Sequence, residues 1–448
     1  MSLSTTPRTF PAATAAVLAL CWTAVFFDGF DVMVYGAALP YLLDDAHFGL
    51  GAATAGTIGS WTTFGMLLGA LGCGSLTDGL GRRPVLVGCV LAFSAGSGVC
   101  ALAPSVPVFA AGRLVTGLGL GGLIPVCIAL VTEFAPAGRA ALATGVLMSG
   151  YHAGGMAATG LGLAVIPDHG WRWAFGAGVL PAVVAAPLLL FLLPESPAVL
   201  RLKGRTAQAE AVARRHGVPA AAERAEEAEG AGGRLRAVGR LVAPGRRWST
   251  ALLWLGSGCG LMLVYGVSTW LPQLMRSSGY GVTSSVGMLM ALNAGGVVGM
   301  LIAGTVAERF GPVRVSGIWF LLTAGVLLLL AVHLPVAVTY VVITLAGIWL
   351  YSASTMVYAA AGRLYPPSLR APGLGWVAGV GRVGAVVSPW LGGHLISRHQ
   401  EHWGFPLFAL AGAVGATAVL LAPRLLRAGA AGPRQPAAPP QPAREPGR

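Results

Sequence analysis

Apolar segments of about 20 residues recur along the whole chain, each long enough to cross a hydrocarbon slab of roughly 30 Å as a helix. They fall near 14–40, 54–77, 84–103, 108–132, 141–165, 172–193, 250–274, 284–307, 314–333, 336–361, 371–396 and 403–423. Lipid offers no hydrogen bonds to an open backbone, so such segments are stable only as helices packed on one another. The expected fold is an all-α membrane protein with twelve transmembrane helices. The composition agrees: 55% of the 448 residues are hydrophobic and 10% charged, against about 25% charged in soluble domains.

The formal net charge of +13 would suit a polyanion-binding surface, but its placement does not. With the N-terminus inside, 24 of the 29 Lys and Arg residues fall in inner loops and tails, eleven of them between 201 and 247. The outer loops hold Arg172, Arg276 and Arg398, while Arg113 and Arg382 lie within spans. Such an excess marks the cytoplasmic side, so both termini are expected there, and no nucleic-acid partner is expected. A single Lys, with abundant Ala and Gly, hints at a GC-rich bacterial genome and hence a bacterial inner membrane. All six cysteines lie in spans without metal-ligand spacing and read as small packing residues, so neither metal nor disulfide is expected. No cleavable signal peptide is evident, because the first apolar stretch is too long and runs into acidic residues. Nothing matches the phosphate-cradling G-x-x-x-x-G-K-S/T loop, and the midplane polar groups form no nucleophile–base set. Neither cofactor nor enzymatic activity is expected.

A charged segment divides the spans into a six-helix half at 1–194, a central loop at 195–248, a second half at 249–427 and a Pro/Ala-rich, disordered tail at 428–448. The loop should form short surface helices. The halves resemble each other at an offset near 230 residues. VYG at 34–36 recurs at 264–266, and GSLTDGLGRR from Gly74 aligns with GTVAERFGPV from Gly304, which sets Asp78 against Glu308. Parallel six-helix repeats hold substrate near the midplane between them.

The loop GSLTDGLGRRP resembles the signature of the major facilitator superfamily, as do RLVTGLGLGG in the fourth span and LPESP after the sixth. Gly79 stands where that family usually has a basic residue. Within the superfamily, DGFDVMVYGAALP at 28–40, GWRWAF at 170–175 and LYPPSLRAPGLGWVAGVGRVGAVVSP at 364–389 resemble the aromatic acid:proton symporters. The likeness covers the spans and not the central loop or tail. It implies two pseudo-symmetric halves that rock about a central site, and gating at the loop by Asp78, Arg82 and Arg83 with Glu133, Arg139 and Glu308.

Helical rise places Asp28 and Asp31 roughly 20–25 Å, and Arg382 and His152 roughly 18 Å, from the inner ends of their spans. His152 and Arg382 are related by the repeat, whereas the acid pair has Gly258 and Leu261 as counterparts. Intramembrane ionisable groups are costly and usually functional. Asp28 and Asp31, one helical turn apart, can hold a proton as one unit, or can bond backbone groups near Gly29 and Gly36. Arg382 matches a carboxylate, or makes a structural ion pair; the resemblance associates it with the acid substrate. Arg113 can gate, or snorkel near the outer face. His152 can bond substrate or a neighbouring helix. Tyr35, Tyr265, Trp270, Asn293 and Tyr358 are the further candidate substrate contacts. Tyr151, Gln273, Tyr351 and Trp376 could also shape the pocket. The expected function is proton-coupled import of a small aromatic carboxylate such as 4-hydroxybenzoate, protocatechuate or benzoate, by a monomer in the lipid bilayer. The alternatives are a sugar or other metabolite symporter, a drug exporter and a non-transporting sensor.

Overall fold

A computed structural model describes residues 12–136, 139–216 and 239–430. The first half contains α1 (Ala12–Asp44), α2 (Ala52–Leu80), α3 (Arg82–Leu102), α4 (Val106–Phe134), α5 (Ala140–His169) and α6 (Trp171–Leu192). The second contains α7 (Arg247–Ser277), α8 (Val282–Phe310), α9 (Pro312–Leu329), α10 (Val336–Leu364), α11 (Pro367–Ser397) and α12 (Gly404–Ala430). Each apolar segment is thus a helix. The central loop opens with two short helices, Pro197–Leu202 and Thr206–His216. Residues 217–238 and the tail beyond 430 lie outside the described residues.

Among the described residues, ten of the twelve helices are long and apolar enough to cross a membrane by length and composition alone; α2 and α5 fall short of that measure. The cause is their contact faces. α2 carries Gly56, Gly59 and Ser60 where it meets α11, and α5 carries His152 and Gly155 where it meets α8. Small and polar residues let helices approach closely in a bilayer. Helix α6 departs from a straight rod: a 3₁₀ turn at Ala177–Val179 and a break at Val184 interrupt it. Pro181 and Pro187 explain the break, since neither can donate to the preceding turn.

The two halves keep step. α2, α3 and α4 begin at Ala52, Arg82 and Val106, and α8, α9 and α10 begin at Val282, Pro312 and Val336, an offset of 230 each time. Glycines related by that offset stand at two of the closest helix crossings. A Cβ on Gly154 of α5 would lie 1.8 Å from the Phe26 carbonyl oxygen of α1, and one on Gly384 of α11 would lie 1.9 Å from that of Gly258 in α7. Both contacts are with backbone, which cannot rotate aside.

Contacts between the halves run α1 to α7, α2 to α11 and α5 to α8. Their bonds cluster at the midplane and at the end of the bundle far from the termini. At that far end the Arg276 guanidinium pairs with Asp44 at 2.7 Å and donates to the Pro40 carbonyl. There too the Trp390 amide donates to Ser60 Oγ at 3.0 Å. The Asp45 carboxylate caps the α1–α2 turn by accepting from the amides of His47 and Phe48 and from Trp171 Nε1 at 2.9 Å. These hydrogen bonds hold the Asp45 carboxyl below its usual value of 3.8, with the Trp171 bond the largest cause.

Candidate substrate and proton site

The two carboxyls of α1 have different surroundings. Asp31 is fully buried; its Oδ2 accepts from Arg113 Nη1 at 2.9 Å and its Oδ1 accepts the Ser97 hydroxyl. Arg113 is 2% exposed, with its guanidinium 5.2 Å from the Tyr35 ring centroid and 5.8 Å from that of Phe175. The triad therefore joins α1, α3 and α4 inside the first half. The irregular turn of α6 brings Gly178 against it: a Cβ there would lie 2.7 Å from Ser97 Cβ and 3.4 Å from Asp31 Oδ1. The Arg113 side chain does not snorkel; it turns into the bundle toward Asp31.

Asp28 is 1% exposed, and neither carboxyl oxygen has a hydrogen-bond partner among the described residues. The charges of Asp31 and of Arg382 in the other half act on it. Arg382 acts in turn on Tyr265 and Tyr358 of its own half. The buried Tyr151 hydroxyl also lacks a partner among the described residues, and it lies within the electrostatic reach of Asp28 and Tyr265. Asp28, Tyr151, Tyr265, Tyr358 and Arg382 thus form a polar neighbourhood spanning both halves. The two carboxyls read from the sequence as one unit have unlike partners: Asp31 is bonded within the first half, and Asp28 has no hydrogen-bond partner among the described residues.

The remaining candidates separate by what they hold. His152 Nδ1 lies 3.4 Å from Asn293 Oδ1, its ring rests on Tyr351 at 4.4 Å, and Asn293 Nδ2 donates to the Leu289 carbonyl. This contact is the midplane seam between α5 and α8. Trp270 Nε1 donates to the Pro389 carbonyl and Tyr35 donates to that of Ala55, so both polar tips are engaged in helix packing. Tyr35 and Tyr265 also line a cavity of about 20 Å³ with Thr62, Thr63, Arg113 and Thr269. That is room for one water.

At the termini end, Glu133 accepts from Arg82, from Ser196 Oγ at 2.7 Å and from the Ala198 amide at 2.8 Å. Glu195 accepts from the backbone amides of Arg82, Arg83 and Ser196, closing the start of α3. Arg83 donates to the Leu193 carbonyl. Arg139 stands at the start of α5 and Glu308 is exposed near the end of α8. Asp78 lies in α2, but its side chain lies outside what is described. Sequence reasoning missed Ser97, Gly178 and Glu195. Glu195 was visible within LPESP, whereas a lone serine in an apolar helix carries no signal of its own.

Two six-helix halves in register, with an ion pair buried inside the first of them, have the architecture of membrane transporters built on repeats. The chain belongs to the Major Facilitator Superfamily, whose profile matches residues 21–332 and again 286–447. It is 36% identical over 417 residues to a gentisate transporter of Corynebacterium glutamicum, covering 92% of this chain and 88% of that one. It is 32% identical over 416 residues to a benzoate transport protein of Acinetobacter baylyi, covering 90% and 88%. The xylose transporter XylE from E. coli, in a partially occluded inward open conformation, shares the fold at a TM-score of 0.71 and 16% identity, covering 92% of this chain and 97% of that one.

Proposed function

We propose that this protein imports a small aromatic carboxylate together with protons, Asp28 carrying the proton and Arg382 receiving the acid. The observation that carries this reading is the buried Asp28 carboxyl, partnerless among the described residues and within the electrostatic reach of Arg382 in the other half. A carboxylate so placed is a buried charge without hydrogen bonds, and a proton removes that cost. With Asp28 neutral, the Arg382 fork is free to take a substrate carboxylate bidentately. Proton and anion then cross together without adding net charge to the midplane. Losing the proton to the cytoplasm restores the Asp28 charge, which competes for Arg382 and releases the acid. Asp31 positions the site through Arg113 and Ser97, and Tyr265 and Tyr358 lie where an aromatic ring and its substituents would rest. The names of the gentisate and benzoate relatives support the ring-acid class. The termini face the cytoplasm of a bacterial inner membrane on the positive-inside argument. A single chain supplies all these groups, so the monomer is the transporting unit.

The test is uptake of labelled 4-hydroxybenzoate into proteoliposomes, with and without an inward proton gradient, competed by benzoate, protocatechuate and glucose. Gradient-driven accumulation blocked by the aromatic acids and not by glucose is expected. Asp28→Asn should keep exchange of labelled for unlabelled acid while losing accumulation against a gradient. Normal accumulation by Asp28→Asn would end the proton assignment, and block by glucose alone would end the aromatic one.

A further inference from the structure

A cavity of about 740 Å³ opens at the termini end of the first half, remote from the midplane. Its floor is the end of α6 and the start of α3, and its roof is the pair of short helices that begin the central loop. The lining carries Arg83, Lys203, Arg205 and Arg215 against a single carboxylate, Glu195. Glu195 is already engaged by the backbone amides of Arg82, Arg83 and Ser196. Lys203, Arg205 and Arg215 form no ion pair among the described residues, and all three are exposed. The opposite wall is apolar: Phe191 is 78% and Leu192 62% exposed. They continue the α6 face that carries exposed Leu180, Val183 and Leu190. The cavity is therefore basic on its loop side and opens onto an apolar helix face at the termini end of α6.

We propose that this cavity binds the phosphate headgroup of an anionic phospholipid, with the acyl chains lying along Phe191 and Leu192. Arg83, whose backbone amide and side chain are both held by the turn that ends α6, supplies the fixed part of the phosphate site. Lys203, Arg205 and Arg215 approach from the loop helices, so an occupant would join the central loop to the membrane domain. Basic groups at a membrane surface each add about tenfold or less to the attraction of an anionic headgroup. The free energy of three together corresponds to about 100-fold in affinity.

The test is the thermal midpoint of the full-length purified protein in neutral detergent, titrated with phosphatidylglycerol, phosphatidylcholine, glycerol phosphate or inorganic phosphate. Phosphatidylglycerol should raise the midpoint, with phosphatidylcholine inert. The combined variant Lys203→Gln/Arg205→Gln/Arg215→Gln should need about 100-fold more phosphatidylglycerol for the same rise. An equal loss of charge elsewhere, Arg309→Gln/Arg314→Gln/Arg363→Gln, should leave the titration unchanged. The wild-type titrations stand whether or not the variants fold. A rise with both lipids, or none with either, overturns the proposal. So does an equal loss in both variants, which would make the effect one of bulk charge. Equal protection by glycerol phosphate or inorganic phosphate would assign the cavity to a soluble phosphate and overturn the lipid.

Discussion

A charged pair inside a helix bundle is stable only while both members remain, and Asp31 with Arg113 is such a pair. Arg113→Gln leaves a buried carboxylate without its cation and should cost about 3–5 kcal/mol by the behaviour of broken buried pairs. Asp31→Asn/Arg113→Gln removes both charges and should recover most of that loss in thermal melts of the detergent-purified protein. A double variant as unstable as the single one would show that Arg113 acts through packing on Tyr35 and Phe175. Arg382 should behave differently, because no hydrogen bond or ion pair among the described residues fixes it. Arg382→Gln should fold with a nearly unchanged melting point and lose at least tenfold in binding of aromatic acids. The residue types at these sites were legible because ionisable groups in apolar spans are rare. Their partners were not. Asp31 takes Ser97 and Arg113 from helices 66 and 82 residues away in sequence, and only the packing of α3 and α4 against α1 brings them together.

Helices were the most readable level, since a run of about 20 apolar residues can do little else in lipid. The irregularities were less so: Pro181 and Pro187 mark α6 as breakable, yet their spacing does not say that the distorted turn delivers Gly178 to Ser97. The crossing of α1 and α5 gives a sharp expectation. Gly154→Val would drive side-chain atoms into the Phe26 carbonyl of α1, and no monodisperse peak should survive size-exclusion chromatography. Gly145→Val, on the same helix where a Cβ meets nothing within 4 Å, should be tolerated. At the far end, the Asp45 cap ties the α1–α2 turn to Trp171. Because its carboxyl titrates below the usual 3.8 when folded, its contribution is present above that value and is lost as pH falls through the lower, folded value. Melting points of wild type and Asp45→Asn should therefore differ most at neutral pH and converge once the pH has fallen through the folded value, below 3.8.

The bonds between Asp44, Pro40 and Arg276 hold the far ends of α1 and α7 together across the halves. As a partly exposed pair it is worth about 0.2–1 kcal/mol, enough to bias a balance between two poses though not to fix one. Asp44→Cys/Arg276→Cys joined by a short thiol cross-linker should cut uptake at least tenfold, with full return on reduction. Undiminished uptake by the cross-linked protein would mean that these ends never part. The repeat was visible from a few short matches, but its faithfulness emerges only from helices that start in step through α2, α3 and α4. The offset of 230 carries Asp28, Asp31, Ser97 and Arg113 onto Gly258, Leu261, Leu327 and Ile343. None of those four can ionise, and Leu327 and Ile343 are fully buried. In the language of inheritance, this is a duplicated gene segment whose two copies kept their carpentry and divided their chemistry. A close glycine crossing stands at Gly154 in one half and at Gly384 in the other, while the Asp31–Arg113 pair belongs to one half alone. Positions where the two halves disagree therefore mark where they share the work unequally.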